Sequence, residues 1–171
     1  MNRLKMRLSV RVVDDGRSHH IVEAFVDDVP LADFARHAID VPFGLLPSVE
    51  RDGYWYIITC TCGDPGCGGV FYGVEVRHRE GKVHWHVPEP GPMRDYVFDE
   101  VEYHQEIRAM IDEARRAVAG SAVAEPGKND FAPYDNDLFF KGALDDSQLT
   151  STWDAAPQSD QSSLRPWRTK Y

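Results

Sequence analysis

Polar and apolar residues alternate strictly at the start of the chain. Leu4, Met6, Leu8, Val10 and Val12 fall on one face, and Lys5, Arg7, Ser9 and Arg11 on the other. A period of two over residues 4–13 predicts a half-buried strand, with the basic row as its solvated outer face. Asp14-Asp15-Gly16 supplies turn chemistry, since Asp and Gly tolerate the backbone a reversal needs. Residues 19–26 then read as the returning strand of a hairpin. Residues 27–53 lose the alternation. Residues 31–39 admit a short helix, Pro42, Gly44, Pro47 and Asp52-Gly53 mark loops, and the stretch is expected to cover a sheet edge or line a cleft. Residues 54–62 are aromatic and β-branched and carry the strongest strand signal. Residues 70–79, the tight Glu80-Gly81 reversal and residues 82–87 continue it as a meander, and residues 94–98 allow one more short strand.

The period then changes from two to 3.6. Asp99 is placed to cap a helix, and Glu102 three residues later completes a capping box. Phe98 and Tyr103 are spaced as a hydrophobic staple. Tyr103, Ile107, Met110, Ile111, Ala114 and Val118 share one helical face, which predicts a helix over 99–118 lying across the sheet. Acids crowd its first turns, and Arg108, Arg115 and Arg116 follow later, in the sense the helix dipole favours. After Gly120 the periodicity stops and Ser, Pro, Gly, Asp and Ala dominate. Phe131, Tyr134, Phe139, Phe140, Trp153, Trp167 and Tyr171 nonetheless persist there. The patterns predict an α+β fold: an antiparallel β-sheet made of an N-terminal hairpin and a three-stranded meander, covered by one C-terminal helix. Residues 1–120 form the globular domain, and residues 121–171 an irregular tail that is either solvated or docked on the body.

Composition narrows the partners. Formal net charge is -9 over 171 residues. General binding to nucleic acid or to an anionic membrane needs clustered Lys and Arg, so both are expected absent, and a basic protein partner suits the surface better. The first residues interleave charge with apolar groups, and no apolar run approaches the roughly 20 residues of a membrane span, so a cytoplasmic location is expected. Three cysteines within eight residues do not make a secreted disulfide framework, and reduced or metal-bound thiols are expected.

Those cysteines carry the most specific chemistry. In Cys60-Thr61-Cys62-Gly63-Asp64-Pro65-Gly66-Cys67, a strand running through Cys62 points Cys60 and Cys62 to one face, and a four-residue loop sets Cys67 opposite Cys62. Three thiolates so close repel, and a divalent cation relieves them; zinc takes four N or S ligands. The alternative is that they are small residues packed at a tight turn. The spacing Cys60-x-Cys62-Gly63-x3-Cys67-x-Gly69 resembles the zinc-binding post-SET motif of SET-domain lysine methyltransferases. There three clustered cysteines share zinc with a distant fourth, which this chain lacks. The resemblance spans about ten residues and implies a ligand spacing, not a methyltransferase. The body, with its CTCGDPGCGG turn, VHW strand and FDEVEYHQEI helix start, also resembles a family of uncharacterised bacterial proteins, which implies no activity. A fourth metal ligand from this chain would be His19, His20, His37, His104 or Asp64.

His84 and His86 flank Trp85 on a polar face with Glu75 and Arg77. A two-residue turn at Glu80-Gly81 sets Glu75 opposite His86 and Arg77 opposite His84. Two histidines and a carboxylate can hold a metal, although cross-strand pairs account for the same residues. This strand lies roughly 26 Å from the thiols at about 3.3 Å per residue. No Ser-His-Asp order, phosphate-cradling glycine loop or dinucleotide fingerprint is present. The expectation is a small acidic protein-binding module, of which an immunity or antitoxin-like protein is one version, with zinc at Cys60, Cys62 and Cys67 as a structural cofactor. Phe139, Phe140, Trp153 and Trp167 are its candidate anchors unless they pack on the body. The competing class is a metal-dependent enzyme using the cysteine turn or the His84/His86 strand.

Overall fold

The computed structural model describes residues 1–12, 16–120 and 129–155. Its class is α+β, with antiparallel sheets and one long helix. Strands β1 (Leu4–Val12) and β2 (Ser18–Val26) form the expected hairpin, in register Leu4 to Val26 through Val12 to Ser18. Short β3 (Val29–Pro30) folds back on β2. β4 (His37–Ile39) precedes a π-helical turn, Val41–Leu45, and a short α1 (Pro47–Glu50). β5 (Gly53–Trp55), β7 (Val74–Arg79), β8 (Lys82–Val87) and β9 (Arg94–Asp99) form a second sheet in that order. β6 (Ile58–Cys60) leaves it and pairs with β4.

The aromatic run 54–62 is therefore two strands in two sheets. Ile57 N donates to Trp55 O at 2.8 Å, a local turn that breaks the run. Tyr54 and Tyr56 are half-buried while Trp55 and Ile57 through Cys60 are buried, and with no charged residue in the run no polar alternation marks the break. The π-helical turn packs against this bend. A Cβ on Gly44 would lie 2.8 Å from Ile57 Cα, so only glycine fits. Residues 31–39 are not a helix. Asp33 Oδ1 accepts from Ala35 N at 3.0 Å, and Asp33 O accepts from both Arg36 N and His37 N at 3.0 Å. That side-chain bond stabilises a single turn in place of a helix start, and His37–Ile39 goes into the ladder with β6.

Helix α2 (Glu100–Ala117) follows the sequence pattern closely. Asp99 caps it, its carboxylate accepting from Val101 N and Glu102 N at 3.0 and 3.1 Å. Phe98 and Tyr103 stack with ring centroids 5.7 Å apart. All six residues of the apolar face, Tyr103 through Val118, are buried in the main core. Glu106 on the same helix accepts from Met6 N at 2.6 Å, which satisfies a donor on the outer edge of β1.

The segment after residue 128 supplies β10 (Phe131–Ala132), α3 (Tyr134–Phe140) and α4 (Asp146–Ala155). β10 pairs with β2 in parallel, Phe131 against His20. Phe131, Phe139, Phe140 and Leu149 join the main core, so Phe139 and Phe140 pack on the body and are not free anchors. Polar side chains fix this docking. Asn136 Nδ2 donates to Ile39 O at 2.8 Å while its Oδ1 accepts from Val41 N at 2.9 Å. Within the segment, Lys141 ties Asp130 to Asp137 at 2.8 and 3.0 Å. Trp167 and Tyr171 and the side chain of Trp153 lie outside the described residues.

Candidate metal centre

The turn after β6 gathers the three thiols, by a different route from a plain hairpin. The strand stops at Cys60. Thr61 N turns aside to Arg36 O at 3.3 Å, and Gly63 N closes a tight turn on Cys60 O at 2.9 Å. Gly63 has φ 93°, a left-handed conformation that glycine adopts without cost. Asp64 then organises the return. Its Oδ1 accepts from Gly66 N at 2.8 Å and from Cys67 N at 3.4 Å, an Asx-type turn that brings Cys67 back. Cys60, Cys62 and Cys67 offer sulfurs 3.5–3.9 Å apart, close enough to hold one metal ion.

Their electrostatics follow from that crowding. Cys60 is buried, whereas Cys62 and Cys67 are exposed. Burial works against the Cys60 thiolate, but hydrogen bonds from the Cys62 backbone and from the Cys62 and Cys67 thiols outweigh it, holding this thiol below its ordinary range. Burial first, and then the neighbouring Cys60, push Cys62 up to about 12. The hydrogen bond to Cys60 and its charge push Cys67 up as well. Of the three thiols Cys60 therefore gives up its proton most readily and Cys62 and Cys67 hold theirs; a divalent ion bound by all three would displace every proton.

His37 braces the turn. It lies opposite Cys60 in the ladder, and its ring nitrogens reach Asp33 O at 2.9 Å and Gly68 O at 2.7 Å. Both ring nitrogens face backbone carbonyls, so His37 ties the loop to β4, and it does not join the donor group of the three thiols. A Cβ on Gly68 would lie 3.0 Å from His37 Cδ2 and 3.1 Å from Cys60 N, which shows how tightly the brace is drawn.

The other candidate fourth ligands are not brought into the group. His20 stacks on Phe131 with centroids 5.2 Å apart. Asp64 spends one oxygen on the turn, and His104 lies on α2. His84 and His86 keep the expected register with Arg77 and Glu75, but the side chains choose other partners. Glu75 pairs with Arg77 along its own strand, and His86 Nδ1 meets Asp95 of β9 at 2.7 Å. No third donor joins them among the described residues. An open groove of about 380 Å³ along α2, floored by Ile111, Phe139 and Leu149, shares no residue with the thiol turn. No helix among the described residues is long and apolar enough to cross a membrane. No protein-family model, curated protein or solved structure matches the chain.

Proposed function

We propose that this chain is a small acidic protein-binding module whose cysteine turn is locked by a structural zinc ion. The observation that carries the reading is the spacing of the three sulfurs, 3.5–3.9 Å. Four sulfurs at about 2.3 Å from zinc in a tetrahedron stand roughly 3.8 Å from one another, so the thiols already lie at the edges such an ion requires. The chain has three cysteines, and Cys62 and Cys67 face solvent. The fourth position of the ion is then open to water or to a side chain from a partner.

Two features support the binding half of the proposal. The net charge of -9 speeds encounter with a basic protein. Just beyond the turn, Phe71 is 46% exposed although Glu89 fixes its backbone, accepting from Phe71 N at 2.6 Å and Tyr72 N at 3.2 Å. A rigidly held, exposed aromatic is the kind of side chain that anchors an interface. An immunity or antitoxin-like protein that blocks a basic effector is one form of such a module.

Purified full-length protein should carry about one zinc at the thiols, and Cys62→Ser should release it and lower the melting temperature. A partner captured by the native protein should be lost with high salt and with Cys62→Ser. Metal-free thiols with unchanged stability would leave only tight packing at this turn. Turnover of a small molecule that needs the thiol-bound metal would replace the binding module by an enzyme.

A further inference from the structure

A second group of donors meets where the β7–β8 hairpin touches the start of α2. His78 lies near the end of β7, and Glu100 and His104 are one turn apart on α2, hence on one face of the helix. Donor atoms of all three lie within 4.8 Å of one another. Glu100 N is tied to Gly81 O at 3.0 Å, so the helix start is fixed to the hairpin turn that follows His78.

The surroundings of the two imidazoles make this more than a polar cluster. His78 Nδ1 lies 2.9 Å from Asp52 Oδ1, and that same oxygen accepts from His78 N at 2.7 Å. His104 Nε2 lies 3.1 Å from Val49 O. A neutral imidazole that donates from one nitrogen carries its lone pair on the other. Asp52 therefore leaves the lone pair of His78 on Nε2, and the Val49 carbonyl leaves that of His104 on Nδ1. His78 Nε2 is buried and has no hydrogen-bond partner. A carboxylate behind one histidine and a backbone carbonyl behind the other are the outer partners that metal-binding histidines use to fix tautomer and ring orientation.

We propose that His78, Glu100 and His104 form a second metal site, taking a divalent transition ion of the zinc class. Two imidazoles and one carboxylate suit zinc and its neighbours in the first transition row, whereas magnesium and calcium prefer all-oxygen shells. Three protein ligands leave coordination positions open, as in metal sites that exchange water for another ligand. The site shares no residue with the thiol turn and does not depend on zinc being bound there.

The test uses cobalt as a coloured stand-in for zinc in the full-length protein. The native chain should take up about two equivalents, only one of them with thiolate charge-transfer absorption. Cys62→Ser with Cys67→Ser should abolish that band and keep one equivalent bound. In that background His78→Ala and Glu100→Gln should remove the remaining ion, and Asp52→Asn should weaken it about 10- to 100-fold. Circular dichroism without metal checks that each variant is folded. A readout free of mutations at the site is the imidazole nitrogen spectrum. Adding zinc should shift His78 and His104 and leave His84 and His86 in place. No ion in the cysteine-depleted protein at millimolar metal, binding indifferent to His78→Ala, or shifts confined to other histidines would each overturn the proposal. Loss of the thiolate band alone in the native chain overturns zinc at the cysteine turn and leaves this site standing.

Discussion

Glu23 and Cys60 are both acidic groups held away from water, and they are balanced in different ways. Glu23, on β2, is 0% exposed. Arg7, Arg11 and Ser9 of β1 converge on it, with contacts of 2.7, 2.8 and 2.7 Å. Burial works against its charge, but the hydroxyl and the two guanidinium groups outweigh that and hold the carboxyl below its usual range. In the turn, Cys60 is surrounded by further thiols, and its own charge pushes its neighbours' pKa values up. The hairpin encodes both signs of charge in one ladder and is complete as folded. The turn encodes one sign only, so its protonation and stability would be coupled to any metal ion it takes up. The basic row of β1 faces solvent as expected, and two of its members, Arg7 and Arg11, also reach over to pair with the buried Glu23.

A buried acid with no partner sets the scale for that contrast. Ile107 is 2% exposed in the main core. Ile107→Asp places a carboxyl where nothing compensates it and should cost about 4–5 kcal/mol or prevent folding, read by denaturant unfolding. A variant as stable as the native protein would remove the assigned facing of α2, and with it the scale.

Asp40 lies between these extremes. It is buried, it caps the π-helical turn by accepting from Phe43 N at 3.1 Å, and no cation approaches it among its described contacts. Burial first, and the negative Asp135 second, raise its pKa from 3.8 to about 7. Between these two values the folded protein keeps a proton that the unfolded chain releases. The stability this group contributes is therefore full below about pH 4 and is lost as pH rises through about 7. The loss approaches about 4 kcal/mol. Asp40→Asn should flatten this part of the pH profile, gaining on the native protein at pH 8 relative to pH 4. Parallel profiles would show that Asp40 is ionised and compensated like Glu23.

Removing the cations from Glu23 should turn it into the uncompensated case. Arg7→Ala with Arg11→Ala strands the carboxylate and should cost about 3 kcal/mol, much of which Glu23→Gln in the same background should restore. The arginines are half-exposed and recover water when Glu23 is lost, so Glu23→Gln alone should cost less than the double arginine change. The reverse order would show that packing of the arginine stems, not charge, holds the hairpin face.

The same physics sets what could be read from sequence. The β7–β8 register was legible because Glu80 and Gly81 both take positive φ, 51° and 72°, in a two-residue turn that fixes the count. The buried face of α2 was legible because one side of it meets water. The break at Tyr56 was not, because aromatic and β-branched residues run through it with no charged or turn residue between Tyr54 and Cys62. The docking of residues 131–149 hangs on Asn136, whose partners Ile39 and Val41 lie 97 and 95 residues away, beyond any local pattern. Convergence of the cysteines was legible from spacing, but the Asx turn at Asp64 and the His37 brace that produce it were not. For the second donor group there was a signal that went unread. His78 continues the alternation Val74, Val76 on the apolar face of its strand, and Glu100 and His104 stand one helical turn apart. A histidine on a core-facing row that runs toward a helix start is a donor in search of a partner.

The smallest expected effect sharpens the comparison most, because it separates the shape of the turn from its charge. Gly68→Ala adds no ionisable group and removes no sulfur. Its Cβ would press on His37 and on the Cys60 backbone at 3.0–3.1 Å, closer than an unstrained carbon sits, and a braced imidazole and a strand backbone give way poorly. The expected cost is about 1 kcal/mol in metal-free protein. If the sulfurs form a site only because His37 draws the loop against β4, that small shift should lower zinc retention by far more than it lowers stability, and should leave unfolding of the Glu23 hairpin network unchanged. Zinc content and metal-free melting temperature, measured on the same sample, decide it. Full zinc occupancy in Gly68→Ala would mean that the cysteines and the ion shape the turn by themselves, with His37 merely resting against it. Loss of zinc together with a near-native melting temperature would show the opposite: the fold builds the three-sulfur geometry before any ion arrives, as it builds the arginine pocket around Glu23.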